Sequence, residues 1–338
     1  MRTSTLLLLA LLTASVGHAV TFTENFTGDP SLDGWQVFGN TNLFQWNATN
    51  KNLVATWDST QTNTYFYHPL GTTITKNDDF SVTFDLNLND IASGVEPGKT
   101  GPLQLGFEFL NFAGATNASF QRGNFGTVPN VAGFDYYTDG YYTFGSSVFP
   151  SAAATVPSFI SGVNSFDYAP QDISIFDNEL PTGQVVHVSM SYTASNQTAI
   201  VSTSVNGVAI ASLPPLALNS PNGFGDPTDD FLADTFCVCS YSSVGDDFDS
   251  VLAHGTVANL VVSVPPPAQN LGVTFTNGAW QVQFTDHLNW LYTLERTTNF
   301  SSWTGASIQA AGNGTSLTLS DTNAPSSAAC YRIRADRP

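Results

Sequence analysis

The stretch Pro181–Ala211 reads PTGQVVHVSMSYTASNQTAIVSTSVNGVAIA, and it decides the fold class. Apolar residues alternate with polar ones on both sides of a short polar turn, which is the period of half-buried β-strands. Asn206-Gly207 then supplies the pair with positive φ that a two-residue hairpin needs. The stretch therefore predicts three antiparallel strands joined by tight turns. It contains no nucleophile motif and no paired carboxylates, so it predicts architecture and no chemistry.

Two segments on the N-terminal side of this stretch show the same alternation. In Phe80–Leu88 the apolar residues alternate with Asp85 and Asn87, and in Leu103–Phe109 they alternate with Glu108. Each segment predicts a strand with one apolar face and one polar, outward face. Two sheets of this kind bury their apolar faces against each other, so we expect an all-β, antiparallel β-sandwich.

The last strand of this sandwich is predicted in Gly255–Val264, with Ala258, Leu260, Val262 and Val264 on one face. We expect it to lie beside Thr21–Phe26, so that the two ends of the domain meet. The composition fits an all-β chain, because 27 Gly and 18 Pro supply many turns. Only 11% of the residues are charged, which leaves few for the polar faces of surface helices.

Residues 1–19 have the pattern of a secretory signal peptide. Arg2 precedes the apolar run Leu6–Leu12, and Gly17-His18-Ala19 forms a small-x-small cleavage site. No later stretch approaches the ~18 uninterrupted apolar residues of a membrane-spanning helix. We therefore predict an exported protein, secreted or at the cell surface, that does not insert into the membrane after the signal is removed.

Two β domains are predicted after the signal. Residues 20–264 form the sandwich, a stiff linker at 265–268 begins with three prolines, and residues 269–338 form a small second β-sandwich. The net charge of −18 comes from the first domain, where residues 20–266 hold 23 acids and four basic residues. Such a surface repels nucleic acid, so we expect no nucleic-acid partner. Solubility outside the cell is the simpler explanation of this charge, and a cation-dependent role is the alternative.

Several of these segments together carry a resemblance to a known family. They are Glu24-Asn25-Phe26 with Asp33-Gly34-Trp35, the strand Phe80–Leu88, the stretch Pro181–Ala211 and the closing Gly255–Val262. In this order they resemble the concanavalin A-like lectin/glucanase jelly roll, in its laminin-G-like form from secreted bacterial proteins. The resemblance covers most of residues 20–264. It implies a jelly-roll sandwich with a polysaccharide or another glycan as partner, by analogy of fold.

The C-terminal segment resembles a second unit, the short β module that recurs in large secreted bacterial surface proteins. The matching residues are Tyr292, Leu294, Arg296, Trp303, Asp321 and Tyr331. Together the two resemblances favour a non-catalytic carbohydrate-binding or adhesion protein of the cell surface or extracellular matrix. Two alternatives stay open. One is a divergent glycoside hydrolase or polysaccharide lyase, and the other is a structural envelope or matrix protein without a small ligand.

The acids that glycoside hydrolysis needs are incomplete in this sequence. Glycosidases of this fold carry acids at alternate positions of one strand, so that two carboxyl groups flank the scissile bond. The corresponding positions here are Asp85, Asn87 and Asn89, and an amide cannot donate and recover a proton. Glu108 is the remaining candidate for a second carboxylate. Asp85 and Glu108 are thus the catalytic candidates of a chain that we expect not to be an enzyme.

The ligand-binding candidates are aromatic residues that could stack on sugar rings, together with one amide. They are Trp46, Tyr137, Tyr141 and Asn87. The alternative for the tyrosines, which lie in a predicted hairpin at Val131–Phe149, is that their rings fill the core of the sandwich.

The metal candidates are aspartates in acid-rich segments, because such loops suit a hard cation such as Ca²⁺. They are Asp226, Asp229, Asp230 and Asp247. Ca²⁺ is the one cofactor predicted, and exposed, solvated acids are the alternative. The chain has three cysteines, of which Cys237 and Cys239 share one face of a predicted strand and are expected to be buried thiols.

Overall fold

The computed structural model describes residues 20–120, 130–138, 150–151, 180–210, 215–217, 231–244, 248–264, 268–287, 290–325 and 328–336. These residues divide after Val264 into two compact units, which are described separately. Strands dominate both units, as the sequence predicts. Helical structure among the described residues is limited to a 3₁₀ helix at Pro30–Asp33 and a helix, α1, at Phe112–Ala115. Neither is long and apolar enough to cross a membrane.

The first sheet of the larger unit contains the strands β1 Val20–Glu24, β3 Phe44–Asn47, β4 Asn52–Asp58, β6 Phe80–Ser93, β7 Gly101–Pro102, β11 Val186–Thr193, β12 Thr198–Val205, β13 Val208–Ala209, β14 Leu216–Ala217 and β16 Asp249–Val264. Their order across the sheet is β13-β12-β11-β6-β16-β4-β3, with β1 and β7 paired to β16 and β14 paired to β12. The pairing of β1 with β16 confirms that the two ends of the domain meet.

The second sheet of this unit contains the strands β2 Gln36–Phe38, β5 Thr64–Ile74, β8 Gln104–Leu110, β9 Val131–Thr138, β10 Pro150–Ser151 and β15 Ala233–Ser240. Their order across the sheet is β10-β9-β8-β15-β5-β2. Of the predicted hairpin at Val131–Phe149, the first arm is β9, and residues 139–149 lie outside the described residues. The strand that pairs with β9 among the described residues is β10, which begins one residue after the predicted hairpin ends.

The core between the two sheets is aromatic. The Phe84 ring of β6 stacks on the Phe107 ring of β8 with centroids 4.2 Å apart, and Phe80 meets Phe109 at 4.9 Å. All four side chains are buried. Because aromatic pairs of this kind add to the stabilisation from buried area, they hold the two predicted strands face to face. The β-sandwich of the prediction is confirmed.

The stretch that decides the fold class has the predicted structure. β11 pairs with β12 without a register shift, from His187 opposite Ser204 to Thr193 opposite Thr198. β12 in turn pairs with β13. Asn206 and Gly207 have φ of 51° and 76°, so both central turn residues are left-handed, as the two-residue hairpin requires. Val186, Val188, Met190 and Tyr192 are buried, which confirms the alternation.

The closing strand differs from the prediction at one position. Ala258 is half-buried on the outer face, whereas Leu260 and Val262 are buried. The cause is a β-bulge in β16, where the register to β6 shifts by one residue between Ala258 and Val261. An inserted residue reverses the side to which the following side chains point, so strict alternation fails there.

The smaller unit contains two short sheets around its own core. One sheet holds β17 Gln269–Thr276, β18 Ala279–Thr285 and β22 Ser316–Asp321, and the other holds β19 Leu291–Thr297, β20 Thr304–Gly305, β21 Ala310–Ala311 and β23 Cys330–Asp336. The core consists of Val282, Phe284, Trp290, Tyr292, Leu294 and Leu319. Asp321 is buried and accepts hydrogen bonds from Arg296 at 2.7 Å and from Tyr331 at 3.0 Å, which ties the two sheets together.

Candidate functional site

A network of polar side chains centres on Asp85, on the outer face of the first sheet. His187 stands directly opposite Asp85 on the neighbouring strand, and its Nδ1 lies 2.9 Å from Asp85 Oδ1. Asn259 Nδ2 donates to Asp85 Oδ2 at 2.6 Å. Since an ionised carboxylate only accepts, the proton of this imidazole is on Nδ1 when the imidazole is neutral, which leaves Nε2 for a ligand.

The position of Asn259 follows from the bulge in β16. Asn259 is exposed and has a φ of 49°, in the left-handed region that asparagine tolerates better than most residues. The bulge turns its amide toward Asp85 across the strand pair. Three segments that are far apart in the chain therefore meet at one carboxylate: β6, β11 and β16.

This network is open to solvent. The side chain of His187 is 52% exposed and that of Asp85 is 22% exposed. Asn87, two residues further along β6, is on the same face opposite Thr256, and its Oδ1 is buried without a hydrogen-bond partner among the described residues. The face thus presents the His187 imidazole and the partly exposed Asp85 carboxylate, both of which are fixed by strands of the sheet.

A second histidine–aspartate pair lies on this outer face. His254 Nδ1 is 2.7 Å from Asp90 Oδ1, and both side chains are well exposed. The pair follows a register shift between His254 and Gly255, where β6 contains one extra residue relative to β16. The two pairs have the same arrangement, in which a carboxylate holds Nδ1 of the ring.

Glu108, the other catalytic candidate, lies on the opposite side of the sandwich. It follows Phe107, whose ring packs on Phe84, and Phe84 precedes Asp85. Because side chains alternate along a strand, Asp85 points outward from the first sheet and Glu108 outward from the second. The aromatic core separates the two carboxyl groups, so they do not flank a common bond.

The outer face of the second sheet is buried around Glu108, although its polar residues were expected to be exposed. Six side chains of this face are 3% exposed or less: Gln104, Glu108, Leu110, Thr235, Cys237 and Cys239. The hydroxyl of Tyr241 donates to the Glu108 carboxylate. Burial raises the pKa of both thiols, Cys237 and Cys239. The expectation that these thiols are buried is confirmed.

Aromatic residues and the helix α1 cover this second face. The Tyr67 ring stacks on Phe112 of α1 with centroids 4.2 Å apart, and Tyr65 donates to the carbonyl of Ala115 at 2.9 Å. A glycine makes room for the buried acid, since a Cβ at Gly133 would lie 2.6 Å from the Cα of Glu108. The second layer explains why β8 is buried on both of its faces.

The remaining predicted site residues are not assembled into one site by the described structure. Trp46 lies on the edge strand β3, is 36% exposed, and donates from Nε1 to the carbonyl of Phe26 at 3.0 Å. Tyr137 belongs to β9, and its side chain lies outside the described residues. The others lie outside the described residues altogether: Tyr141, Asp226, Asp229, Asp230 and Asp247. Calcium binding at these aspartates stays a prediction.

Sequence reasoning missed two members of the network, His187 and Asn259. His187 reads as an isolated histidine in a strand, and Asn259 reads as one polar residue in an apolar one. The available signal was the interruption of GTVANLVV by an asparagine, a residue that often adopts positive φ at irregular positions.

Comparisons with known proteins give a similarity of fold only. No protein-family model and no curated protein matches the sequence. Among solved structures, lectin II from Ulex europaeus is 13% identical with a TM-score of 0.43, over 73% of this chain and 99% of that chain. A Bauhinia forficata lectin in complex with GalNAc is 10% identical (TM-score 0.35, 73% and 99%), and the Emp47p carbohydrate recognition domain 9% (TM-score 0.34, 72% and 97%). At identities and TM-scores this low, neither a ligand nor a binding site of these lectins can be assigned to this chain.

Proposed function

We propose that this chain is an exported, non-catalytic carbohydrate-binding or adhesion protein. The observation that supports the proposal is the network of Asp85, His187 and Asn259 on an open sheet face. Sugars present adjacent hydroxyl groups that both donate and accept hydrogen bonds. A carboxylate, an imidazole and an amide that are fixed on a sheet match this pattern at little cost in side-chain entropy.

The separation of Asp85 from Glu108 favours binding over hydrolysis. Hydrolysis of a glycosidic bond by the usual mechanism needs two carboxyl groups within about 10 Å, on either side of the bond. Here the two candidate acids are on opposite outer faces, and Asn87 supplies an amide at the next outward position of β6. Export and a location at the cell surface belong to the same proposal, and the signal pattern in residues 1–19 supports them.

A glycan array of the mature chain tests this proposal. We expect wild type to bind a subset of the glycans and Asp85→Ala to lose about tenfold or more in apparent affinity, because a hydrogen bond to a charged group contributes about 1.5–3 kcal/mol. Asp336→Asn, in the smaller unit, is the matched control and is expected to bind like wild type. Silence of the wild type across plant, algal and bacterial glycans would refute the proposal.

A further inference from the structure

Three aromatic rings form a row at one end of the smaller unit. Phe275 of β17 lies opposite Trp280 of β18, and their ring centroids are 5.1 Å apart. The centroid of Trp280 is in turn 6.1 Å from that of Tyr331 on β23, which belongs to the other sheet of this unit. These three residues, which we call the aromatic row, therefore bridge the two sheets.

The aromatic row extends beyond the core of the smaller unit. On β17, Val273 packs against this core, whereas Phe275, the next residue on the same side of the strand, is 56% exposed. Trp280 and Tyr331 are half-buried. Single exposed apolar side chains are common on protein surfaces, but a contiguous apolar patch with polar residues at its rim is typical of a binding surface.

An ion pair supplies the polar residues at the rim of the aromatic row. Asp321, opposite Trp280 on β22, is buried and accepts hydrogen bonds from Arg296 Nη1 at 2.7 Å and from the Tyr331 hydroxyl at 3.0 Å. Arg296 lies opposite Tyr331 on β19, and its Nη1 also donates to the carbonyl of Asn323 at 2.6 Å. The Arg296 side chain is 28% exposed, and its Nε and Nη2 make no hydrogen bond among the described residues. A guanidinium with N–H groups left to donate therefore lies beside the row.

We propose that the aromatic row is a second binding site, which takes a neutral glycan. Aromatic rings offer apolar area to the C–H faces of sugar rings, and donors at the rim bind sugar hydroxyl groups. The Asp321 carboxylate compensates the charge of Arg296, and residues 20–266 hold a large excess of acids, so a neutral ligand is favoured over an anionic one. The proposal does not rest on the Asp85 network, because the two sites share no residue and lie in different units.

An array of neutral and anionic glycans, with variants of the mature chain, tests this site. We expect the Asp85→Ala chain, in which the first site is weakened, still to bind a subset of the neutral glycans. Adding Phe275→Ala should weaken this binding by at least about tenfold, because it removes the most exposed ring of the row. Adding Phe300→Ala is the matched control and should leave the binding unchanged, since Phe300 is 72% exposed in the same unit but outside the row. Added salt should also leave it unchanged, because a neutral ligand forms no ion pairs.

Carbene footprinting gives a second measurement that needs no substitution in the row. With the neutral glycan that the Asp85→Ala chain binds best, we expect protection of the peptide that contains residues 273–280. Three results would each overturn the proposal: no neutral glycan bound by the Asp85→Ala chain, equal binding after Phe275→Ala and Phe300→Ala, or unchanged labelling of that peptide. The first site is tested separately, because a chain that loses glycan binding through Phe275→Ala but not through Asp85→Ala would refute the Asp85 network and support the aromatic row.

Discussion

The two outer faces of the sandwich differ in the exposure of the acid that each one carries. On the first sheet Asp85 is partly exposed and held by His187 and Asn259, whereas on the second sheet Glu108 is fully buried against Tyr241. Both acids follow the same alternation in sequence. Alternation therefore determines the side of a sheet on which a residue lies, but not whether a second layer covers it. Asp85 lies on the uncovered face and is accessible to a ligand, whereas Glu108 lies on the covered face and contributes to the stability of the fold.

The largest expected contrast between the faces is in thiol reactivity. Cys237 and Cys239 are buried on the covered face with raised pKa values, whereas Cys330 of the smaller unit is partly exposed. Since only an exposed thiolate reacts, we expect Cys330 to be labelled first and the other two at least about a thousandfold more slowly, limited by opening of the structure. Labelling by a thiol reagent, followed by mass spectrometry, measures this. Equal rates for all three would show that the second face is open.

The next contrast is the stability cost of removing each acid. Glu108→Ala leaves the buried Tyr241 hydroxyl without this acceptor and creates a cavity, so we expect a loss of about 3 kcal/mol in the free energy of unfolding. Asp85→Ala removes a partly exposed acid and should cost about 1 kcal/mol or less. Urea denaturation of both variants gives the comparison. Equal losses in the free energy of unfolding for the two variants would contradict the conclusion that Glu108 lies on a covered face and Asp85 on an open one.

A smaller effect is expected at the glycine that faces Glu108. A Cβ at Gly133 would lie 2.6 Å from backbone atoms of the neighbouring strand, so Gly133→Ala should destabilise the protein by about 2 kcal/mol. Gly28→Ala is the control, because a Cβ there meets nothing within 4 Å. The difference in melting temperature between the two variants is the measurement. A Gly133→Ala variant as stable as the control would mean that the strands separate easily there.

The smallest effect is expected in the hairpin at the edge of the first sheet. Gly207 has a φ of 76° with open space around its Cα, so Gly207→Ala costs only backbone strain, about 1 kcal/mol. Gly28→Ala again serves as the control in thermal denaturation. A loss of several kcal/mol would show that the turn has packing contacts that the structure does not contain.

Much of the fold could be predicted because it depends on local pattern. Alternation and the Asn206-Gly207 turn are properties of short segments, and the structure confirms both. The predicted face of Ala258 is wrong because the bulge inserts one residue into β16, and the one sign of it in the sequence is Asn259 within an apolar run. The burial of Glu108 is not predicted for a different reason: its hydrogen-bond partner Tyr241 lies just after β15, outside the strand alternation that contains Glu108.

The candidate site could be predicted only in part. Asp85 and Asn87 follow from the alternation of one strand, so their common outward face was within reach. His187 and Asn259 lie near these residues only because β11 and β16 are the neighbours of β6 in the sheet. This strand order cannot be predicted from the residue pattern within a single strand. A site that is built from three strands thus needs the topology before its members can be recognised.

Footprinting with and without a bound glycan tests the central claim most directly. The probe is the glycan with the strongest array signal, and carbene labelling of the mature chain reports the surface that it covers. We predict protection of the peptides that contain Asp85, His187 and Asn259, and unchanged labelling of the peptide that contains Glu108. Protection confined to other peptides, with those around Asp85 and His187 labelled as in the free chain, would contradict the account.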